Sequence, residues 1–568
     1  MKPYLLVLSV FLSLVAGPAQ TATKPNIIFF LVDDYDKPET SVYGGKVLTP
    51  NLERLAREGM TFHNAYMTST VCTPSRYTCL TGRYAGSSYS SAYLSEFPKG
   101  TQGLPAFNVA LENDHMNVGR VLAENGYATG FVGKYHVGAE HLSPEELEVL
   151  GLHGVPKNVP WSEEINRKQF ENEKIRRRMI KEQGFTWAKN IYWGNIKAPF
   201  KGHNPEWTIS AALEFVEEHK DGPFYLHYGT TLLHGPNGEW HNSLSKPLVT
   251  NEGILKEPIG LMDRESVMKR ITAAGLTESE AGYLWMDDSL GMLLDKLDEL
   301  GIADNTIVLF VADHGSNRKG SLYRQRGTEV PCIMRWPNGM PKGIACDALV
   351  QNTDFVPTWF DVAGAKVPKG YKMDGVSIAP LFSNPKADVR DYVYAEMGAS
   401  RAVRTKDWSY MALRFTKDQV EDMRKNERFL EKTLTGLSGG ISRGRENPES
   451  MSYDQLYNIP SNPEETKNLA SNPEFGGKLE EMKKLLVQEL KRFPDRPFGE
   501  FIPGGNAMPA GSCDDVLEAM RNYMGQFDGD MKMQSKAKKK QKKKPAEPSG
   551  NASKKAERQA RKAQREKK

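Results

Sequence analysis

The sequence predicts an α/β protein: a large central sheet flanked by helices, followed by a smaller C-terminal α+β domain. Three observations carry this. The runs Asn26 to Val32 (NIIFFLV) and Thr306 to Val311 (TIVLFV) are apolar throughout and of strand length, as in strands covered on both faces. Helical and extended patterns alternate between them. Beyond about Pro385 short extended segments take over.

Taken in order, Thr49 to Ala56 reads as a helix start with helical apolar spacing, Asn117 to Asn125 as helical and Ala128 to Val132 as extended. Ile165 to Gln183 has helical character within a long segment, Glu140 to Asn204, expected to shape the rim of a pocket. Thr208 to Glu218 reads as helix and Phe224 to Tyr228 as strand. Thr277 and Glu280 fit a capping box. Tyr283, Met286, Leu290, Leu293, Leu294 and Leu297 then share one helical face, which Gly301 ends. Asp354 to Gly364 reads as a short helix. Tyr392 to Glu396, Arg401 to Arg404 and Trp408 to Leu413 read as extended, Leu434 to Asn447 as a polar loop, and Leu479 to Phe493 as a helix. The expected organisation is a signal peptide over 1–22, a catalytic domain over 23–385 and an α+β subdomain over 386–493. An extension over 494–531 has no assignable structure, and a basic tail covers 532–568.

The 568 residues suffice for two or more domains. Met1-Lys2-Pro3, apolar Tyr4 to Ala16 and small residues to about Ala22 form a secretory signal pattern too short to span a bilayer. With no later apolar stretch of spanning length, the expectation is an exported, soluble protein, periplasmic or secreted, without a transmembrane segment. From Lys532 onward, 16 Lys and Arg face 3 Asp and Glu. The near-neutral whole is therefore an acidic body with a basic, disordered tail. That tail suits contact with an anionic polymer such as sulfated glycan, cell envelope or nucleic acid, or it is a solubilising extension without a partner. Five cysteines (72, 79, 332, 346, 513) leave at least one unpaired within the chain. Cys332 and Cys346 are candidates for a bridge across a short loop or for buried thiols.

Both apolar runs end in acids: Asp33-Asp34 after the first, Asp313-His314 after the second. Adjacent carboxylates repel unless a cation or protons intervene. Oxygen donors of this kind favour calcium or magnesium. Alone, an Asp-Asp pair is more often an exposed turn. Gly133-Lys134-Tyr135-His136-Val137-Gly138 joins a basic group to a titratable one, a pairing suited to attack on an anionic ester.

The stretch Cys72-Thr73-Pro74-Ser75-Arg76, continued to Leu80-Thr81-Gly82-Arg83, resembles the signature of the type I sulfatases, Cys-x-Pro-Ser-Arg followed by Leu-Thr-Gly-Arg. The resemblance runs from about Pro25 to Ala470, its late part carried by Arg401 to Trp408 and by Leu456 to Leu469. It implies an alkaline-phosphatase-like α/β fold with a mixed central sheet. It further implies that Cys72 is oxidised to formylglycine, whose hydrate attacks the sulfur of a sulfate ester. Asp33, Asp34, Cys72, Asp313 and His314 fall on metal positions for one divalent ion, usually calcium, with magnesium as the alternative. Arg76 steadies the modified residue. Lys134 holds the sulfate, and His136 orients or deprotonates the nucleophile. His234, in Leu233-His234-Gly235-Pro236, binds sulfate and protonates the leaving oxygen. Lys319 contacts the sulfate and the leaving group. A formylglycine-generating or sulfatase-maturating enzyme is an implied partner.

The pattern departs from the family after Lys319. Many members continue Tyr-Glu-Gly-Gly-x-Arg-Val-Pro; here the chain reads Tyr323-Arg324-Gln325-Arg326-Gly327-Thr328-Glu329-Val330-Pro331. Glu and Arg are exchanged and one residue is added, which suggests a compensating charge swap. The expected substrates are sulfate esters of a sulfated polysaccharide or glycosaminoglycan, with N-sulfated sugars left open. The rivals are a phosphate mono- or diester hydrolase of the same superfamily and a catalytically silent binder of anionic glycans.

Overall fold

The computed structural model describes residues 24–138, 142–156, 159–235, 240–438, 440–441 and 448–525. The signal segment, the basic tail and parts of the 140–204 and 434–447 segments lie outside the described residues. Among the described residues, eight strands form the main sheet. These are β1 (Asn26–Val32), β2 (Met60–Tyr66), β3 (Ala128–Lys134), β4 (Trp187–Tyr192), β5 (Phe224–Gly229), β8 (Thr306–Ala312), β9 (Cys332–Arg335) and β10 (Ile344–Gln351). A two-stranded ribbon, β6 (Val249–Thr250) with β7 (Gly253–Ile254), stands apart.

The sheet order is β10-β2-β9-β8-β1-β5-β3-β4. All pairings are parallel except those of β9, which runs antiparallel to both β2 and β8. The sheet is therefore mixed. Every residue of β1, β5 and β8 is buried, as two-faced coverage by helices requires. Consecutive side chains of β1 point to opposite faces. Phe29 meets Phe355 and Trp359 of the Phe355–Val362 helix at 5.7 and 6.5 Å between ring centroids, while Phe30 meets Tyr228 at 4.7 Å. The Thr277 capping box forms, with the Thr277 N–H donating to Glu280 at 2.8 Å. It starts the helix Ala281–Glu299, whose Leu290, Leu293, Leu294 and Leu297 are fully buried.

Four antiparallel strands make the second sheet in the order β11 (Val393–Met397), β12 (Ser400–Arg404), β13 (Trp408–Leu413) and β14 (Asp454–Asn458), packed with the helix Gly476–Leu490. Residues 494–525, to which the sequence assigned no structure, complete this region. Phe498 and Phe501 join a core with Tyr410 and Leu486, and Cys513, Val516, Leu517 and Met520 close another with Leu413 and Phe415. All five cysteines are buried free thiols, so of the two readings of Cys332 and Cys346 the structure adopts the thiols.

Candidate active site

Parallel pairing builds the site. β1 and β8 lie in register with Val32 opposite Ala312, so the next residues, Asp33 and Asp313, leave the sheet side by side. β5 and β3 end at the same edge, with Leu31 opposite Gly229 and Gly229 opposite Gly133. They release the turn carrying His234 and, from β3, Lys134. Two hydrogen bonds strap that turn to β1. The Asp33 N–H donates to the Leu232 carbonyl at 2.8 Å, and the Leu233 N–H donates to the Asp33 carbonyl at 2.5 Å. Four neighbouring strands thus deliver their polar ends to one carboxyl edge, where open α/β sheets place ligands.

Cys72 opens the helix Cys72–Thr81, whose ten residues are all buried. Pro74 is tolerated in the first turn, where a backbone N–H would lack a helical partner. Gly82 caps the other end at φ 66°, its N–H donating to the Thr78 carbonyl, a conformation that favours glycine. The Cys72 Sγ faces the edge of the sheet at the positive end of the helix dipole. It lies 3.5 Å from Asp33 Oδ1, 3.3 Å from His314 Nε2, 3.6 Å from Lys319 Nζ and 3.7 Å from Lys134 Nζ.

The carboxylates are tied to cations. Lys134 Nζ donates to Asp33 Oδ2 at 2.5 Å, and Lys319 Nζ reaches both Asp34 oxygens at 2.7 and 3.0 Å. Arg76 Nε donates to Asp313 Oδ2 at 2.9 Å, Nη1 donates to the Lys134 carbonyl at 3.0 Å, and Nη2 stands 3.8 Å from Asp33. One buried guanidinium therefore holds three strand ends together. Asp34 takes a left-handed backbone conformation, φ 57°, and its N–H donates to Asp313 Oδ1 at 3.1 Å. His234 Nε2 lies 3.9 Å from Asp34 Oδ2. His136, also left-handed at φ 49°, is buried with its ring 6.2 Å from Phe107. Arg83, the end of the signature, points elsewhere and pairs with Glu112 at 3.0 Å.

Electrostatics separate two thiols of one helix. Burial pushes Cys79 up to about 12. Cys72 is equally buried, and burial and Asp33 raise it too, yet Lys134, Lys319 and His314 outweigh them and hold it well below the ordinary thiol value. Asp33 behaves alike: burial raises it, and Lys134, His234, Arg76 and Lys319 hold it well below the carboxylate range. Burial lowers His314, but the charges of Asp313, Cys72 and Asp34 lift it to about 9. This edge stabilises negative charge at residue 72.

Ligand atoms of Asp33, Asp34, Cys72 and His314 all lie within 4.8 Å of one another, all four residues buried. Asp313 stands at the edge of this group, turned to Arg76, its Oδ1 3.6 Å from His314 Nε2. Two carboxylates and an imidazole around one point fit a divalent cation with a taste for oxygen. Charge agrees with this. Three buried carboxylates (Asp33, Asp34, Asp313) meet three buried cations (Arg76, Lys134, Lys319) and the imidazole of His314, so an added dication leaves the site net positive, as an anionic ester needs.

Asn195 escaped the sequence reading. Its Oδ1 accepts from Lys134 Nζ at 2.6 Å, and nothing in Trp193-Gly194-Asn195 signals this, because the contact exists only once β3 and β4 pair. Gly133 positions the lysine more directly. Its φ is 84°, and a Cβ there would lie 2.0 Å from the Gly229 carbonyl oxygen. Gly133→Ala is expected to strain the backbone by about 1–3 kcal/mol and to part β3 from β5, displacing Lys134. A lowered melting temperature together with a loss of kcat/KM is the expected result.

The departure after Lys319 is resolved by direct pairing. Arg324 Nη1 meets Glu329 Oε2 at 2.7 Å, and Lys37 Nζ meets Glu329 Oε1 at 2.8 Å. Arg324 and Glu329 thus form a buried pair across the turn that follows Lys319. Arg324→Ala leaves Glu329 short of a partner and is expected to destabilise the fold by about 3–5 kcal/mol. The swap Arg324→Glu with Glu329→Arg should recover part of that in denaturant unfolding. Equal losses in the single and double variants would show that the two residues do not act as a pair.

A mixed α/β sheet with a cation-rich, acid-lined edge over Cys72, at the start of a buried helix, is the architecture of the alkaline phosphatase superfamily. The Sulfatase family pattern matches residues 25–365, and the pattern of the N-sulphoglucosamine sulphohydrolase C-terminal region matches 312–423. The chain belongs to the sulfatase family and is a type I sulfatase, a sulfuric ester hydrolase. It is 25% identical over 498 residues to an ulvan-active sulfatase of Formosa agariphila, covering 84% of this chain and 82% of that protein. It is 23% identical over 577 residues to an N-acetylglucosamine-6-O-sulfatase of Bacteroides thetaiotaomicron, covering 84% and 89%. In fold it resembles the crystal structure of a putative sulfatase from Bacteroides fragilis, with TM-score 0.56, 17% identity and coverage of 84% and 98%.

Proposed function

We propose that this chain is an exported sulfatase that hydrolyses sulfate esters of a sulfated polysaccharide or glycosaminoglycan, using formylglycine at position 72 and one divalent cation. The observation that carries the proposal is the placement of Cys72 Sγ, within 3.7 Å of Asp33, His314, Lys134 and Lys319, inside the Cys-x-Pro-Ser-Arg pattern. In this structure Sγ marks where the oxygens of the hydrated aldehyde would stand. The names of the relatives, an ulvan-active and an N-acetylglucosamine-6-O-sulfatase, support a sulfated glycan as substrate. Export rests on the pattern of residues 1–22. Among the described residues no helix is long and apolar enough to cross a membrane.

Asp33, Asp34, His314 and residue 72 would hold the cation, with Asp313 beside them; calcium fits the oxygen donors best, and magnesium is the alternative. When bound, it supplies a positive centre that steadies the nucleophile and withdraws charge from the sulfate. Formylglycine at position 72 would supply a hydrate oxygen as the nucleophile toward the ester sulfur, with the sugar alcohol as the leaving group.

The chain's own residues do the rest. Lys134 and Lys319 flank Cys72 and bind sulfate oxygens, offsetting charge that builds as the S–O bond lengthens. His234 is one quarter exposed at the rim, placed to protonate the departing alcohol oxygen. His136, by the family resemblance, orients the hydrate or takes its proton. Arg76 touches no substrate in this scheme; it holds Asp33, Asp313 and the Lys134 carbonyl in place.

Mass spectrometry of the peptide containing residue 72, on protein recovered outside the cytoplasm, tests the central step. The expected mass is that of an aldehyde in place of the thiol, in protein that releases sulfate from an aryl sulfate. A fully active preparation with an intact thiol would sink the proposal. Maturation also requires a formylglycine-generating or sulfatase-maturating enzyme, so the aldehyde should be absent when the chain is made without one.

A further inference from the structure

Lys319 belongs to the catalytic domain, yet the loop that carries it is also tied to the second sheet. On its own side, the Ser316 N–H donates to Asp36 Oδ1 at 2.7 Å and the Gly320 N–H donates to the Thr70 carbonyl at 3.2 Å. Further contacts reach residues 318–324 from the C-terminal domain. Arg318 Nη1 donates to the Glu464 carbonyl at 3.0 Å. Arg404, the last residue of β12, donates through Nη2 to the Leu322 carbonyl. The Tyr323 hydroxyl donates to Gln455 Oε1, on β14, at 3.0 Å. The Arg324 N–H donates to Glu465 Oε2 at 2.5 Å, and Arg324 Nη2 donates to the Pro463 carbonyl at 3.1 Å.

Glu465 is central to this clamp. Its side chain is fully buried, accepts from the Arg324 backbone and stands 3.6 Å from Arg404 Nε. One carboxylate thus links the Lys319 loop to the guanidinium that grips Leu322. The Glu465 backbone is left-handed at φ 52°, a region that residues with a Cβ seldom occupy and that persists only where the surroundings impose it. Hydrogen bonds are directional, so ties on both sides of Lys319 fix where its main chain stands. Position matters there. Lys319 Nζ lies 2.7 and 3.0 Å from the Asp34 oxygens and 3.6 Å from Cys72 Sγ, and a shift of about 1 Å in such a group can cost about 100-fold in rate.

We propose that Glu465, together with Arg404, is a positioning residue for Lys319, so that the C-terminal domain holds this lysine at the reaction centre. Both act through the main chain of the loop. The proposal rests on the sulfatase reading, in which Lys319 contacts the sulfate and the leaving oxygen, and adds that the second sheet takes part in setting up the chemistry.

The test compares the full-length parent with Glu465→Gln and Arg404→Lys, each alone and combined with Lys319→Ala. The substrates are a series of aryl sulfates from nitrophenyl to methoxyphenyl, whose phenols leave with decreasing ease, and kcat is normalised to the fraction of aldehyde at position 72. A lysine that offsets charge on the departing oxygen matters most for the poorest leaving group. Each single variant is therefore expected to lower kcat by about 10- to 100-fold on methoxyphenyl sulfate and by several-fold less on nitrophenyl sulfate. In the Lys319→Ala background the same changes should add no more than about twofold, because the effect they transmit is already gone. Tyr323→Phe removes one tie without disturbing a buried charge. It should show the same pattern on a smaller scale, and it carries the test should the other two variants fail to fold. Losses equal across the series, losses undiminished by Lys319→Ala, or an unaltered kcat in folded variants would overturn the proposal. If the parent turns over none of the substrates, the sulfatase reading fails instead. Amide hydrogen exchange then decides the clamp alone: exchange over residues 316–324 should quicken in the variants, and exchange equal to the parent's counts against it.

Discussion

Cys72→Ala is expected to abolish sulfate release, lowering kcat on an aryl sulfate by roughly 10⁴-fold or more, the scale seen when a nucleophile acting within a concerted group is removed. The protein should remain folded. Cys72 contributes one small buried side chain, and the pairs around it (Asp33 with Lys134, Asp34 with Lys319, Asp313 with Arg76) do not depend on the sulfur. An unaltered melting temperature with no turnover is the expected combination. The same variant separates the rivals. A phosphate ester hydrolase that does not need an oxidised residue 72 would keep its turnover, and a silent glycan binder would show none in the parent. Sulfate release surviving in Cys72→Ala would end the formylglycine mechanism for this chain.

Chelation should silence the enzyme almost as completely. Removing the cation takes away the charge that offsets the developing negative sulfate, and a loss of kcat of at least about 10²–10³-fold is expected, matching the loss of one strong electrostatic stabiliser. The stripped protein should stay folded, because Asp33, Asp34 and Asp313 keep their partners Lys134, Lys319 and Arg76. Adding calcium or magnesium back should restore activity, and the ion effective at lower concentration identifies the native metal. Restoration should also depend on pH. Without the ion, and against the cost of burial, the charges of Asp313 and Asp34 favour the protonated form of His314, and a protonated imidazole cannot ligate, so binding must expel that proton. The sign follows: proton competition falls as pH rises, so cation affinity should rise with pH. Ion-titrated thermal shifts at pH 6 and pH 8 would check it, since a ligand that binds only the native state raises its melting temperature. Equal shifts at both values would remove His314 from the ligand set.

Much of the scaffold was legible because local signals and global packing agree. β1 and β8 are continuous apolar runs because both of their faces are covered, and the Thr277 box and the helix after it follow from capping and period alone. Other features were hidden for stated reasons. The antiparallel course of β9 is not marked in four buried residues, Cys332–Arg335. The folding of 494–525 depends on partners far away in the chain, such as Tyr410 and Leu413. Arg324 and Glu329 looked like a break in a pattern, and only their contact at 2.7 Å shows that the two side chains pair.

The sequence by itself determined the family, the residue types and the chemistry they allow. Cys72 to Arg83, Asp33-Asp34, Asp313-His314 and Lys134-Tyr135-His136 are local strings, and a local string can be read without knowing its neighbours. What only the tertiary structure decided is how these strings meet. Register between β1 and β8 sets Asp33 beside Asp313, and the buried Arg76 locks both. The pairing of β3 with β4 brings Asn195 to Lys134. Such distances depend on parallel pairing between segments far apart in the chain, as in the Asp34–Asp313 contact across 279 residues. Pairing of that range is settled by the packing of the whole sheet, and no single stretch of the chain encodes it.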